Sequence, residues 1–249
     1  MMISVAMAIY NGEKYIRQQI ESILPQLKDI DELVISDDFS NDKTLEIIYS
    51  YKSPYIKLYK NTFKKGTIGN FENAVNNCVG DIIVLSDQDD IWKQDKIKII
   101  RYYFEKTNCD VLVNDAVIIN DSGKQIANSF YKYRHSGTGI FKNIFKNTYI
   151  GCCMAFRSTF KPIILPFPNN IPMHDVWIGI LGEMFGKVKF IEDKLTYYRR
   201  HGNNATDFKK ANLRKIIIWR TNLVINLFKR YLIIYKFYRG GKIKFLVFL

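Results

Sequence analysis

Apolar positions along the first 115 residues come in short runs separated by amphipathic stretches. Ile3 to Ile9 is an apolar run of strand length, closed by Asn11-Gly12. Residues 13–27 then place Tyr15, Ile16, Ile20, Ile23, Leu24 and Leu27 at helical spacing. Residues 33–36 predict a second strand ending in Asp37-Asp38, and Ser40-Asn41-Asp42 offers caps for a helix reaching Tyr51. A third strand is expected over 55–61, a turn over 66–69, a helix over 70–78 and a fourth strand over 81–86. A helix over 95–106 and a strand over 111–114 continue the alternation.

Strands joined by helices of this length predict right-handed crossovers and an α/β fold. Its sheet should be mostly parallel, with helices on both faces. Parallelism places the two acidic strand ends, Asp37-Asp38 and Asp87 to Asp90, on the same edge. Ligands of open α/β sheets bind beyond the carboxyl ends of strands.

The second half is less regular. Residues 123–148 mix polar and aromatic side chains and suggest a loop or lid. A strand is expected over 151–157. Pro162, Pro166, Pro168 and Pro172 then break the chain ahead of His174-Asp175-Val176-Trp177, which opens a helix running to Phe185. Two short strands are expected over 188–191 and 195–198.

The formal charge of +13 is unevenly placed. After Asp207 there is no acid and there are eleven bases, which leaves 26 bases against 24 acids in the preceding chain. Basicity belongs to the tail, where apolar residues from Leu213 to Tyr235 recur at helical spacing among Lys and Arg. Such a segment suits an anionic bilayer interface, or else packs on the domain it follows. A nucleic-acid role is disfavoured, because the positive charge sits in an aliphatic helix. Cys78, Cys109, Cys152 and Cys153 lack Cys-x-x-Cys spacing and suggest small buried residues in a reducing compartment. The N-terminus, with no basic region ahead of its apolar run, is expected to be a first strand and not a signal peptide. No uncharged apolar stretch is long enough to predict a spanning helix.

The candidate chemistry lies in Ser86-Asp87-Gln88-Asp89-Asp90. Carboxylates this close raise one another's pKa unless a cation compensates them. Hard divalent ions prefer such oxygens, and Mg²⁺ is commonly held by one or two carboxylates plus substrate phosphates. A solvated acidic turn capping the next helix would also explain the run; the strand leading into it favours a ligand.

Four stretches in this order resemble a family 2 glycosyltransferase of the GT-A fold. They are Ser4 to Gly12, Ile35 to Asp42, Ser86 to Trp92, and His174-Asp175 before a helix. Tyr198-Arg199-Arg200-His201-Gly202-Asn203-Asn204 is similar to the rhamnosyltransferase-like branch. The resemblance implies one catalytic domain over 1–208, with a nucleotide-sugar half (1–115) and an acceptor half (116–208), followed by the basic helical tail (209–249). It implies that Ala8, Tyr10 and Asp38 line the base and ribose pocket, with Asp87 near the ribose. Asp89 would be the ligand of Mn²⁺ or Mg²⁺, with His201 facing the metal or diphosphate. Asp175 would be the base of an inverting enzyme. Since Mg²⁺ does not favour imidazole, a His201 ligand would point to Mn²⁺. Arg199 and Arg200 are candidates for the diphosphate, and Asp90 has no assigned role. Phe39 stands where the family has glycine, which puts that loop's geometry in question.

The implied reaction moves a sugar from a nucleoside-diphosphate sugar, dTDP-rhamnose or a UDP-hexose, to a saccharide or lipid-linked acceptor. The implied location is the cytoplasmic face of the membrane. A noncatalytic membrane-associated protein and a nucleic-acid-binding protein are the alternatives. The sequence does not fix oligomeric state.

Overall fold

The computed structural model describes residues 1–202 and 212–239. Its centre is a nine-stranded sheet. The strands are β1 (Ile3–Ile9), β2 (Glu32–Asp37), β3 (Ile56–Lys60), β4 (Ile82–Asp87), β5 (Ile91–Trp92), β6 (Val111–Asn120), β7 (Gln125–Ala127), β8 (Met154–Arg157) and β9 (Val188–Arg200). They lie in the order β3-β2-β1-β4-β8-β6-β9-β5, with β7 beside β6. β1 to β4, β6 and β9 share one direction, and β5, β7 and β8 oppose it.

Alternate residues of each buried strand feed two cores. Ala6, Ile83 and Leu85 face one core, built with α3 (Thr67–Asn77), α7 (Lys161–Ile164), α8 (His174–Phe185) and α9 (Leu213–Arg239). Val5, Met7, Ile82 and Val84 face the other, covered by α1 (Ile16–Ile23), α2 (Thr44–Ser50) and α4 (Lys96–Lys106). This is the period-two alternation of a strand buried on both faces.

Some boundaries differ from expectation for local reasons. The first helix ends in a 3₁₀ turn, Leu24–Gln26, at Pro25. The turn expected over 66–69 is partly the first turn of α3, and a Cβ on Gly69 would lie 1.9 Å from the Lys64 carbonyl oxygen. That glycine serves close approach, not a turn. Gly151–Cys153 forms a 3₁₀ turn before β8. The two short strands expected after α8 are one, β9, because the polar run Glu192-Asp193-Lys194 passes a register irregularity opposite Asp115.

Residues 123–148 are not a structureless lid: they hold β7, α5 (Phe130–Arg134) and α6 (Ile140–Phe145). Buried Asp115 fixes this region by accepting hydrogen bonds from Ser129 Oγ at 2.6 Å and the Tyr131 N–H at 2.9 Å. Tyr131 in turn donates its hydroxyl to the Val113 carbonyl.

Leu223, Leu227 and Ile234 of α9 join the core beneath α8. Away from that stripe α9 exposes Ile217, Val224, Phe228 and Leu232, and Trp219 and Phe237 are exposed nearer its ends. Among the described residues no helix is long and apolar enough to cross a membrane.

Candidate active site

The carboxyl ends of β1, β2 and β4 lie side by side. Ala8 is in register with Ser36 on one side and Asp87 on the other, and Ile9 with Asp37. The loops beyond them are knitted together. The Asn11 N–H donates to Ser40 Oγ and the Asn41 N–H to Asn11 Oδ1; the Gly12 N–H donates to Thr44 Oγ1. Asp42 accepts from the Thr44 and Glu13 N–H groups. Gln88 accepts from the Tyr10 N–H at 2.8 Å and donates to the Tyr10 carbonyl at 3.0 Å, clamping the end of β1 to that of β4. A side chain at Gly12 would collide with this clamp.

On this platform Ala8 is partly exposed and Tyr10 is exposed. Asp38 holds the loop after β3, accepting from Asn61 Nδ2 and from the Gly66 N–H, both at 2.7 Å. Phe39 adopts φ +67°. The loop thus keeps the left-handed turn that glycine favours, at a backbone cost of roughly 1–2 kcal/mol. Lys60 and Lys65 lie over the Phe39 ring at 4.6 and 5.2 Å, a contact that offsets part of it. Beside this loop is a cavity of about 250 Å³ lined by residues including Lys64, Lys65, Thr67, Glu72, Phe167 and Met173.

The acidic run divides. Asp89 Oδ2 lies 2.7 Å from His201 Nε2, and both side chains are mostly buried. The His201 ring stacks on Tyr15 at 4.8 Å. Asp87 and Asp90 gather instead with Cys152, their ligand atoms all within 4.8 Å of one another. Burial and the neighbouring carboxylates, Asp90 first, push Asp87 well above the usual range. Burial and then Asp89 push Asp90 up to about 8.

Asp90 is fully buried. Its Oδ1 accepts the Arg199 N–H at 2.8 Å, tying the end of β4 to β9, while Oδ2 has no hydrogen-bond partner among the described residues. Arg199 is turned into the protein. It is 3% exposed, and its guanidinium donates to the Asp89 and Asp121 carbonyls and to Gln18 Oε1. It braces the acidic loop. Arg200 donates to the Tyr198 hydroxyl and lines, with His201, Ile118, Ile126 and Tyr133, a cavity of about 300 Å³. Asn203 and Asn204 lie outside the described residues.

The donor set suits a divalent ion. Asp89 and His201, paired through Oδ2 and Nε2 at 2.7 Å, bring together a carboxylate oxygen and an imidazole nitrogen, both donors that a borderline divalent ion accepts. Asp90 Oδ2, buried and without a hydrogen-bond partner among the described residues, is a further oxygen in the acidic run.

Asp175 sits in the first turn of α8, 8% exposed. Its Oδ1 accepts from Asn147 Nδ2 at 3.0 Å and the Val176 N–H at 2.6 Å. Burial outweighs these bonds and raises its pKa from 3.8 to about 6. The charge of Asp175 also contributes to raising Asp87, so the two carboxyls lie within electrostatic reach of each other. Trp177 is fully buried, and its Nε1 donates to the Ile164 carbonyl. Neighbouring His174 is buried and stacked on Phe71 at 4.0 Å, and burial holds its pKa down at about 3.

Sequence reasoning missed Gln88, Asn147 and Lys96. Lys96 is fully buried, donating to the Cys152 carbonyl at 2.7 Å and Thr196 Oγ1 at 2.8 Å, over the Trp92 ring. Burial lowers its own pKa, and its ammonium charge opposes the rise of Asp87. Its signal was available: it lies four residues before Ile100 on the apolar face of α4.

Residues 4–161 match the family model described as glycosyl transferase family 2. The chain belongs to that family. This glycosyltransferase is 33% identical over 220 residues to the dTDP-rhamnosyl transferase RfbG of Shigella flexneri, covering 80% of this chain and 72% of that one. It is 29% identical over 185 residues to WfgD of Escherichia coli, a UDP-Glc:alpha-D-GlcNAc-diphosphoundecaprenol beta-1,3-glucosyltransferase, covering 72% and 70%. In structure it is similar to S. aureus TarS 1-349 in complex with UDP-GlcNAc, with a TM-score of 0.70 at 18% identity over 91% of this chain and 67% of that one. The fold is therefore GT-A.

Proposed function

We propose that the chain is an inverting, divalent-metal-dependent glycosyltransferase. It would move a sugar from a nucleoside-diphosphate donor to a hydroxyl of a saccharide or lipid-linked acceptor in surface-polysaccharide assembly. The observation that carries this reading is the nearness of Asp175 to Asp87 at the acidic end of β4, two carboxyls within electrostatic reach of each other.

Ala8, Tyr10, Asp38 and Asp87 would receive the nucleoside, and Asp89 with His201 would hold Mn²⁺ or Mg²⁺ against the diphosphate. When bound, that ion stabilises negative charge on the departing diphosphate. Asp175 takes the proton of the acceptor hydroxyl, whose oxygen bonds to the anomeric carbon as the carbon–oxygen bond to phosphate breaks. One displacement from the opposite face inverts that centre. A base pKa of about 6 leaves Asp175 ionised at neutral pH, yet closer to the working pH than an ordinary carboxylate.

The names of RfbG and WfgD support dTDP-rhamnose or a UDP-hexose as donor and, for WfgD, a lipid-diphosphate acceptor. The exposed apolar and basic side of α9 supports peripheral attachment to an anionic membrane surface, which for these donors is the cytoplasmic face. The test is a panel of UDP-, dTDP- and GDP-sugars assayed with Mn²⁺ for nucleotide release, the product's anomeric configuration being read by NMR. Release from none of them, or a retained configuration, rejects the proposal. Tight, salt-dependent binding of RNA or DNA in place of turnover would favour the nucleic-acid reading.

A further inference from the structure

α7 ends where the chain turns toward the base. The carbonyls of Ile163, Leu165 and Pro166 accept hydrogen bonds from the Arg230 guanidinium at 2.7, 2.6 and 2.6 Å, and the carbonyl of Ile164 accepts from Trp177 Nε1 at 2.8 Å. These are four successive acceptors at a helix end, the groups such an end leaves without intrahelical partners. Their donors come from elsewhere in the chain: Trp177 from α8, two residues beyond Asp175, and Arg230 from the middle of α9.

Arg230 is 8% exposed and lies 5.3 Å from the centre of the Trp177 ring. It occupies the domain-facing stripe of α9 with Leu223, Leu227 and Ile234. Just past its acceptors, the Phe167 N–H donates to Glu72 Oε1 of α3. The chain leaving α7 is thus held both by α9 and by the helix that follows the donor-side loop. A planar guanidinium offers fixed, divergent donors that a lysine ammonium does not reproduce.

We propose that Arg230 is a positioning residue for catalysis. Through the carbonyls of residues 163–166 and the Trp177 ring it sets where α8 begins, and so where Asp175 stands relative to the donor. α9 is thereby a working part of the catalytic unit as well as an attachment surface. This rests on Asp175 being the base.

The test compares the wild-type chain with Arg230→Ala, Arg230→Lys and Asp175→Asn, measuring Mn²⁺-supported nucleotide release from UDP-glucose and dTDP-rhamnose together with thermal unfolding. Displacing a base by a fraction of its reach costs about 10- to 100-fold in rate. Both Arg230 variants should lose kcat on that scale with donor KM within about twofold of wild type. Millimolar guanidinium chloride should restore part of the Ala variant's kcat and none of the Asn variant's. If Arg230→Ala does not fold, Arg230→Lys decides alone. Folded Arg230 variants with wild-type kcat overturn the positioning role while leaving the base intact. An Asp175→Asn enzyme with wild-type kcat overturns the base assignment, and the inference with it.

Discussion

Replacing Asp175 by Asn should remove activity and, above pH 6, make the protein more stable. The side chain is buried, and its pKa rises from 3.8 to about 6 chiefly through loss of hydration. A raised carboxyl pKa means that the folded state binds its proton more tightly than the unfolded chain does. Below about pH 4 both states are protonated and the group contributes nothing. Between about pH 4 and 6 the unfolded chain releases the proton first, so stability falls as pH rises. Above pH 6 both are ionised, and the folded state carries a penalty of ~3 kcal/mol, two pKa units at 1.36 kcal/mol each.

Asparagine is isosteric, carries no charge, and can still accept from Asn147 Nδ2 and the Val176 N–H. Denaturant unfolding of both proteins from pH 4 to 8 should show equal stability at the acid end. The Asn variant should then gain progressively up to a ceiling near 3 kcal/mol. Turnover at pH 7.5 should fall by roughly 10² to 10⁴, and the wild-type rate should drop below pH 6 as the base is protonated. A variant destabilised at pH 8, or one retaining wild-type turnover, would refute the reasoning.

Other consequences are equally measurable. His201→Ala should reduce Mn²⁺-supported turnover more than Mg²⁺-supported turnover, since imidazole suits the former ion; equal losses with both ions would remove His201 from the metal site. Gly151→Ala would place a Cβ 2.7 Å from His174 Nε2, and the ring, backed by Phe71, has no room to retreat. Unfolding should show a loss of about 1–3 kcal/mol; a neutral effect would mean that His174 is not wedged. Trp219 is 42% exposed on α9 whereas Trp92 and Trp177 are buried, so a blue shift of tryptophan emission on adding phosphatidylglycerol vesicles reports α9. That shift should weaken with salt and be absent with phosphatidylcholine. No shift with either lipid would argue against membrane attachment.

The donor half was legible because its signals are local. β1 spans the expected residues, and β2 and β4 each extend one residue past expectation into Asp37 and Asp87. Parallel pairing alone then sets Ala8 beside Asp87. Phe39 shows the limit of residue identity, since a bulky side chain holds a backbone conformation that the sequence suggested had been lost. What escaped depends on long-range contacts. Asn147 reaches Asp175 from a stretch that reads as a loop, and Gln88 acts on the backbone of Tyr10. Arg230 reads as one more base in a cationic tail until the fold shows that its face of α9 is buried. Periodicity identifies a helix, but not which of its basic positions is turned inward.

The central claim is that the edge carrying Asp38, Asp87 and Asp89 is a metal-assisted nucleoside-diphosphate site. Calorimetric titration of UDP and dTDP into wild type and Asp89→Ala, each with and without Mn²⁺, tests it most directly. The account predicts binding that Mn²⁺ strengthens at least tenfold in wild type and leaves unchanged in Asp89→Ala, a difference of ~1.4 kcal/mol or more. For both nucleotides, the same affinity in all four combinations of protein and Mn²⁺, or no binding in any, would contradict it.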